Sequence, residues 1–152
     1  MKRFAILAKR TIRNTKGEAY LVRYVLLKTP WFALYLHNIL LSDEDRHCHD
    51  HPYDFWSFVF RGQYRETTQR SVNVAGIFDI RTENRRVYKA PALNIKQAET
   101  LHRLDLHHGP VWSLVWCGRR RRDWGFQTEQ GWVDHASYLD QTHGPGNWGY
   151  SW

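Results

Sequence analysis

Short runs of aromatic and β-branched residues recur along most of the chain, and turn residues separate them. Such runs are typical of β-strands. Many short strands at close spacing favour a β-sandwich or a small barrel, closed or nearly closed, so we predict an all-β fold. The predicted strands cover residues 20–27, 31–41, 55–60, 63–68, 77–80, 86–88, 92–95, 100–106 and 111–116.

Turn residues predict how some of these strands connect. Arg61 and Gly62 close the run at 55–60, and residues 63–68 are expected to return as its hairpin partner. The segment 107–110 carries Gly and Pro between two strands, which predicts a second hairpin. One short C-terminal helix is expected at 134–139, with Asp134 as its N-terminal cap.

The composition is that of a globular domain. Hydrophobic residues make up 42% and aromatic residues 15% of 152 residues, which excludes a disordered chain. We predict a single domain over 1–152, with a core at about 19–140 and a tail at 141–152. No apolar run reaches the ~18 residues of a membrane helix, and the first apolar stretch is too short for a signal peptide. A cytoplasmic protein is therefore expected, with Cys48 and Cys117 as buried free thiols.

The segment 47–51 reads His-Cys-His-Asp-His, which places three histidines at alternate positions. Alternate residues of an extended chain point to the same side, so these imidazoles converge. His102, in a later strand, shares its side with Leu104 and Leu106 and therefore points to the interior. A backbone carbonyl or a tyrosine hydroxyl could satisfy its ring, but imidazole is also the commonest metal ligand. Inward histidines from two strands thus predict a metal site.

In this ordered set of motifs the chain resembles the cupins, a family of small jelly-roll barrels. The first cupin motif has a His-x-His pair, then an acidic residue, then a glycine that closes a hairpin; His49, His51 and Gly62 match it. The second motif brings one more histidine from a later strand, which His102 matches. The chain also resembles small cupin-like proteins of bacteria and phages, roughly over residues 31–140, on the segments 49–52, 55–62, 102–106 and 124–126. The resemblance implies a small jelly-roll or cupin β-barrel.

One position departs from the family pattern, because Phe55 stands where the acidic ligand is usual. If Pro52 introduces a bulge, Asp54 turns inward and gives the two-His-one-carboxylate site of non-haem iron proteins. Otherwise the site has three histidines, which resembles thiol dioxygenases, and Asp54 is a fourth ligand or an outer partner. His47 is expected at the mouth of the barrel, as an outer residue rather than a ligand.

The resemblance implies a divalent transition metal bound by His49, His51 and His102, with Asp54 as the further candidate. Fe(II) is the first choice, and Zn, Mn, Ni or Cu are alternatives. We expect an enzyme, a metal-dependent dioxygenase that acts on a small molecule in the barrel and has these three histidines as its catalytic centre. The formal charge of +7 suits an anionic substrate. Candidate phosphate contacts are Arg61, Arg103 and the arginine run 119–122.

Two other function classes stay open. An isomerase, epimerase or lyase acting on a phosphorylated or nucleotide-linked sugar would use the metal as a Lewis acid. A non-catalytic binding module would hold a small molecule, nucleic acid or a partner protein. Only the positive charge supports nucleic acid, because the sequence has no recognised nucleic-acid-binding motif. No membrane partner is expected. The resemblance to cupins, which often dimerise through strand edges, further implies a homodimer.

Overall fold

The computed structural model describes residues 5–74 and 78–143, and the expected tail beyond residue 143 lies outside them, as does residue 77 of the strand expected at 77–80. Within the described residues the chain forms eleven strands and one helix. They are β1 Ala5–Arg13, β2 Ala19–Lys28, β3 Ala33–Ile39, β4 Phe55–Arg61, β5 Gln63–Val74, β6 Phe78–Lys89, β7 Ala92–Lys96, β8 Leu101–Asp105, β9 Val111–Cys117, β10 Gly125–Thr128, β11 Gly131–Asp134 and α1 His135–His143.

The strands form two layers. One layer is a six-stranded sheet in the order β1-β2-β3-β9-β4-β7. The other contains the sheet β6-β5-β8 and the hairpin β10-β11. The backbone of His49 forms antiparallel bridges to His102 in β8 and to Phe126 in β10, and so joins these two pieces. The expected all-β fold with one short C-terminal helix is confirmed.

Side-chain alternation explains where the core lies. In β9, Val111, Ser113, Val115 and Cys117 are buried, while the residues between them are partly exposed. Alternate residues of a strand point to opposite faces, so the inner face of the six-stranded sheet packs on the second layer. Two apolar clusters fill the space between the layers, one around Val59 and Val111 and one around Val25 and Val115.

Both expected hairpins are wrong. β4 pairs with β7 and β9, whereas β5 pairs with β6 and β8 in the other layer. β8 and β9 are separated in the same way, because β8 pairs with β5 and β9 pairs with β3 and β4. The two connections therefore cross between layers. They pack on each other: Gly62 has φ +85°, and a Cβ there would lie 2.6 Å from the carbonyl oxygen of Pro110. Turn residues show where a chain reverses but not which sheet it joins next.

The helix begins one residue later than expected, and its cap is confirmed, because the backbone N–H of Ser137 donates to Asp134 Oδ1 at 3.0 Å. The strands β1, β10 and β11 were not predicted. Cys48 and Cys117 are buried free thiols, as expected. Among the described residues, no helix is long and apolar enough to cross a membrane.

Candidate metal centre

The imidazoles of His49, His51 and His102 form a compact triangle between the two layers. The ring centroid of His49 lies 5.2 Å from that of His51 and 5.0 Å from that of His102. The centroids of His51 and His102 are also 5.0 Å apart. One potential ligand nitrogen of each ring lies within 4.8 Å of the other two. The structure thus brings together three residues that the sequence predicted as ligands.

Backbone pairing explains why these rings converge. The N–H of His49 donates to the carbonyl of His102 at 2.9 Å, and the N–H of His102 donates to the carbonyl of His49 at 2.9 Å. Directly opposed residues of an antiparallel pair project their side chains from the same face. His51 follows two residues after His49, and its N–H donates to the carbonyl of Ala98 at 2.9 Å. The alternation predicted from the sequence therefore places both rings on the side of His102.

The environment of His49 and His51 favours their neutral form. Burial lowers the pKa of His49 to about 4, and His102 adds to the shift while nearby acidic groups oppose it. Burial also lowers the pKa of His51 well below its usual value, with further contributions from His102, His49 and Arg23. A neutral imidazole has a lone pair for a metal, whereas an imidazolium has none.

Glu66, on β5, orients His102. Its carboxylate accepts a hydrogen bond from His102 Nδ1 at 2.7 Å and lies 2.9 Å from Lys96 Nζ, and the side chain is almost fully buried. Burial acts to raise the pKa of Glu66, but hydrogen bonds and charges from His102 and Lys96 outweigh it and lower the pKa to about 2. An ionised Glu66 favours the tautomer of His102 that carries its proton on Nδ1, which leaves the lone pair of Nε2 available for a metal.

Sequence reasoning missed Glu66, although a signal was present. In β5, Tyr64 and Glu66 are both buried and alternate with the partly exposed Arg65. A glutamate two residues after an inward aromatic residue lies on the same, inward face of the strand, so its charge is buried. Buried charges in proteins are paired with other charges or bind metals. The predicted strand at 63–68 contains this residue, and the alternation with Tyr64 places its side chain in the interior.

The histidine cluster is not satisfied by protein atoms alone. Nε2 of His51 lies 2.8 Å from Nε2 of His102, a hydrogen-bond distance at which the tautomers of the two rings decide which nitrogen donates. Nδ1 of His51 is buried and has no hydrogen-bond partner in the described part of the chain. Nitrogen donors of this number and proximity suit a borderline or soft divalent metal better than Ca²⁺ or Mg²⁺, which prefer oxygen. The residues present therefore fit a transition metal.

Apolar and aromatic groups enclose the cluster. It opens on a cavity of about 120 Å³ between the layers, whose walls include Phe55, Trp124 and Phe126. The ring of Phe55 lies 4.7 Å from that of His51, and those of Trp124 and Phe126 lie 6.2 and 5.8 Å from His49. A single water needs roughly 10–15 Å³ by the same kind of measure, so the cavity has room for a small organic molecule. Phe55, which stands where the cupin motif usually has an acidic ligand, forms part of this wall.

Asp54 does not turn inward, contrary to the first of the two alternatives. Its carboxylate is half exposed and accepts hydrogen bonds from the side chain of Arg121 and the N–H of Ala98, each at 2.7 Å. The hydrogen bond from Arg121 and then that from Ala98 lower the pKa of Asp54. Neighbouring residues of an extended chain point to opposite sides, so Asp54 points away from the side that Phe55 faces. Its hydrogen bonds with Arg121 and Ala98 hold it there. It lies outside the histidine cluster.

The other predicted outer residues also lie away from the cavity wall. His47 Nδ1 lies 2.8 Å from the hydroxyl of Tyr138, and its Nε2 lies 3.2 Å from Glu129. Arg61 is exposed at the end of β4, and Arg103 donates to the carbonyl of Arg46 at 2.7 Å. None of these three predicted residues is among the residues that line the cavity.

The arginine run holds loops together. Arg120 pairs with Asp123 at 2.7 Å, and Arg121 bridges Asp54 and Glu99. Arg122 Nη1 lies 2.5 Å from the buried carboxylate of Asp50. These ion pairs account for the positions of Arg120, Arg121 and Arg122.

Comparisons with solved structures identify the fold. The structure is similar to Fe(II) HppE, with a TM-score of 0.54 and 13% identity over 74% of this chain and 59% of that one. It is similar to hydroxypropylphosphonic acid epoxidase from S. wedmorenis, with a TM-score of 0.51 and 14% identity over 75% of this chain and 58% of that one. It is also similar to the Mn(II) oxalate decarboxylase of Bacillus subtilis, with a TM-score of 0.53 and 14% identity over 86% of this chain and 31% of that one.

These neighbours are cupin folds, so the chain has a cupin fold, as the motifs predicted. It spans somewhat over half of the epoxidase and about a third of the decarboxylase. No protein-family model matches the sequence, and the search of curated proteins finds no match.

Proposed function

We propose that this cupin-fold chain is a metal-dependent oxygenase, a dioxygenase that acts on a small molecule in its cavity. His49, His51 and His102 would hold the metal. The observation that carries the proposal is the convergence of three imidazoles on one cavity, one of them oriented by a buried carboxylate. Three protein ligands leave coordination positions open, as in non-haem iron oxygenases. The Fe(II) and Mn(II) of the structural neighbours support a divalent transition metal, with Fe(II) as our first choice and Zn, Ni and Cu as further alternatives.

The residues of the chain have separate roles in this proposal. The three histidines bind the metal, and Glu66 holds His102 in the tautomer that ligates. Phe55, Trp124 and Phe126 keep water from the reacting groups. A bound Fe(II) supplies the redox chemistry that activates dioxygen.

The experiment that tests the proposal measures metal content and oxygen uptake. Protein purified without added metal is stripped, reconstituted anaerobically with Fe(II), and assayed in an oxygen electrode with a panel of small carboxylic acids and thiols. We expect one metal per chain and oxygen uptake that depends on both Fe(II) and a member of the panel. A protein that binds no transition metal refutes the metal site. A protein that binds Fe(II) but consumes no oxygen with any compound refutes the oxygenase while keeping the site.

The alternative functions have less support. A cavity of about 120 Å³ is small beside the ~300–1,000 Å³ of sites for drug-sized ligands, which disfavours a nucleotide-linked sugar. Arg120, Arg121 and Arg122 are engaged in ion pairs within the chain, which weakens the case for phosphate or nucleic acid at this run. These pairs reduce the role of the +7 charge in ligand recognition.

The homodimer and the cytoplasmic location stay predictions. Exposed apolar side chains on the outer face of the six-stranded sheet, among them Phe58, Leu93 and Ile95, support a homodimer. Light scattering coupled to size exclusion tests it, and a monomer at all concentrations would contradict it. Fractionation of the producing cells tests the location.

A further inference from the structure

Asn94, on β7, is buried at the inner face of the six-stranded sheet. Only 2% of the residue is exposed, and it lines the same cavity as the histidine cluster. Its register partner in β4 is Ser57, which also lines the cavity and is 8% exposed. Directly opposed residues of an antiparallel pair project from the same face, so an amide and a hydroxyl lie side by side there.

The amide of Asn94 is held in one orientation. Its Nδ2 donates to the hydroxyl oxygen of Tyr64 at 2.9 Å and to Oε1 of Glu66 at 3.2 Å. An amide donates only through its NH2 group and a carboxylate only accepts, so the reverse orientation would place two acceptors against each other. The contacts with Tyr64 and Glu66 therefore direct the NH2 group toward β5 and fix the position of Oδ1.

The oxygen Oδ1 of Asn94 needs a donor. It is buried and has no hydrogen-bond partner within residues 5–74 and 78–143. A buried acceptor without a partner costs free energy, and a donor on a molecule in the cavity would remove that cost. An anion has no proton to donate, so the oxygen selects for a protonated group.

The neighbouring hydroxyls favour a ligand group that also accepts. Tyr64 lines the cavity, and its hydroxyl oxygen accepts from Asn94 and keeps a proton of its own to donate. The hydroxyl of Ser57 can donate as well. An ammonium group could donate to Asn94 but could not accept from these hydroxyls. A ligand hydroxyl fits both requirements, because one oxygen atom donates and accepts.

We propose that Asn94, Tyr64 and Ser57 form a binding subsite for a hydroxyl group of the small molecule in the cavity. The ligand hydroxyl donates to Oδ1 of Asn94 and accepts from Tyr64 or Ser57. The cavity of about 120 Å³ limits the rest of the ligand to a few non-hydrogen atoms. The inference rests on the proposed function in treating this cavity as the substrate site, but none of the three residues is a proposed metal ligand.

The test is an NMR titration of metal-free protein with 1-propanol, ethyl methyl ether and propionamide. The ether has the same atoms as 1-propanol but no hydroxyl proton to donate. We expect 1-propanol to bind about tenfold more tightly than the ether, because the ether leaves Oδ1 of Asn94 unpaired. Equal binding of the alcohol and the ether would overturn the subsite. Tighter binding of propionamide than of 1-propanol would overturn its assignment to a hydroxyl.

The side-chain NH2 resonances of Asn94 locate the bound alcohol. We expect 1-propanol to shift them and to leave those of the exposed Asn84 in place. Resonances of Asn94 that do not move at saturating 1-propanol would show that water alone satisfies Oδ1, and would overturn the proposal.

A variant removes the acceptor. Asn94→Leu keeps nearly the same side-chain size, so we expect it to weaken 1-propanol about tenfold and to change the binding of the ether little. The matched control Asn84→Leu, at an exposed position, should change neither. Undiminished 1-propanol binding by folded Asn94→Leu overturns the proposal. If Asn94→Leu fails to fold, the alcohol–ether comparison on the wild-type chain still decides.

The failure of the subsite can be distinguished from the failure of the proposed function. Zn(II) affinity is measured on the same wild-type protein. A chain that prefers 1-propanol to the ether but binds no metal keeps the subsite and refutes the metal site. A chain that binds metal but does not discriminate the alcohol from the ether does the reverse.

Discussion

The carboxylate of Glu66 accepts a hydrogen bond from His102 at 2.7 Å, in a region where both side chains are buried. This pairing fixes the orientation and the tautomer of an imidazole whose other nitrogen faces His51. Lys96, at 2.9 Å, balances the charge of the carboxylate. The pair therefore links the second layer of strands to the chemistry of the cavity.

Replacing Glu66 by glutamine should weaken the metal site. Glu66→Gln keeps the shape of the side chain but removes the charge that holds the proton of His102 on Nδ1. We expect the metal affinity to fall about 10–100-fold, as for other outer partners of ligand histidines. Competition with a chelator for Zn(II) measures the change.

A second variant separates this effect from loss of stability. Glu66→Gln leaves Lys96 without its buried counter-charge, which is expected to cost about 3–5 kcal/mol in the free energy of unfolding. The double variant Glu66→Gln with Lys96→Met should regain stability in urea denaturation without regaining metal affinity. Wild-type metal affinity in a folded Glu66→Gln variant would contradict the role of Glu66.

We predict that three of the histidines bind a metal and that the exposed ones do not. His49→Ala, His51→Ala and His102→Ala should each strip the metal, because each removes one of three nitrogen ligands. The exposed His107, whose ring contacts Arg65, provides the matched control, and His107→Ala should retain a full metal complement. Elemental analysis of the four purified variants makes the comparison, and equal metal content in all of them would refute the assignment.

Asp54→Asn should keep the metal. Its exposed carboxylate, just before the start of β4, binds Arg121 and the N–H of Ala98, so its charge contributes to a surface network rather than to the cavity. The loss of an exposed ion pair is expected to change the free energy of unfolding by only about 0–1 kcal/mol. A variant that loses metal while staying folded would show that Asp54 reaches the cluster, and would restore the two-His-one-carboxylate alternative.

Asp50 anchors the histidine segment to the β10-β11 hairpin. Its carboxylate accepts the N–H of Gly125 at 2.7 Å, Arg122 at 2.5 Å and the indole N–H of Trp132 at 3.0 Å. Asp50→Ala leaves these donors without their partner and should destabilise the protein by about 3 kcal/mol in urea denaturation.

The exposed Asp123, which pairs with Arg120, is the control for Asp50. Asp123→Ala should change the free energy of unfolding by less than about 0.5 kcal/mol. Similar losses in the two variants would argue that the buried network around Asp50 carries no special weight.

The thiol of Cys117 should be unreactive in the folded protein. Burial raises its pKa to about 11, while Arg23, Tyr53 and Lys28 oppose the shift. At pH 8 the thiolate is therefore about one part in a thousand, and the thiolate is the reactive form. Peptide mapping after iodoacetamide treatment should find Cys117 unmodified in native protein and modified in urea. Rapid labelling of the native thiol would contradict the burial.

Local alternation was sufficient for the elements that the sequence predicted well. Phe55 and Ser57 follow His49 and His51 at the same two-residue spacing, and both are buried. The same two-residue period placed His49 and His51 on one side and His102 among apolar residues. Alternation is a property of the extended backbone itself, so it can be followed along a single strand without knowledge of its neighbours.

Alternation along one strand could not predict the hydrogen-bond partners of Arg23, Glu66 and Asp54. The inward positions of Arg23 and Glu66 follow from alternation, but their roles come from His37 and His102 on neighbouring strands. Asp54 was open to two interpretations because the partners that hold it outward, Ala98 and Arg121, are distant in the sequence.

The sequence by itself determined the all-β fold, the strand faces and the histidines that point inward, because these depend on the backbone period. The tertiary structure decided which sheet each strand joined, as the wrong hairpins at Gly62 and Pro110 show. It also decided which charged groups meet in the cavity. Pairing between strands is set by contacts across the whole core, and residues far apart in the chain contribute them together.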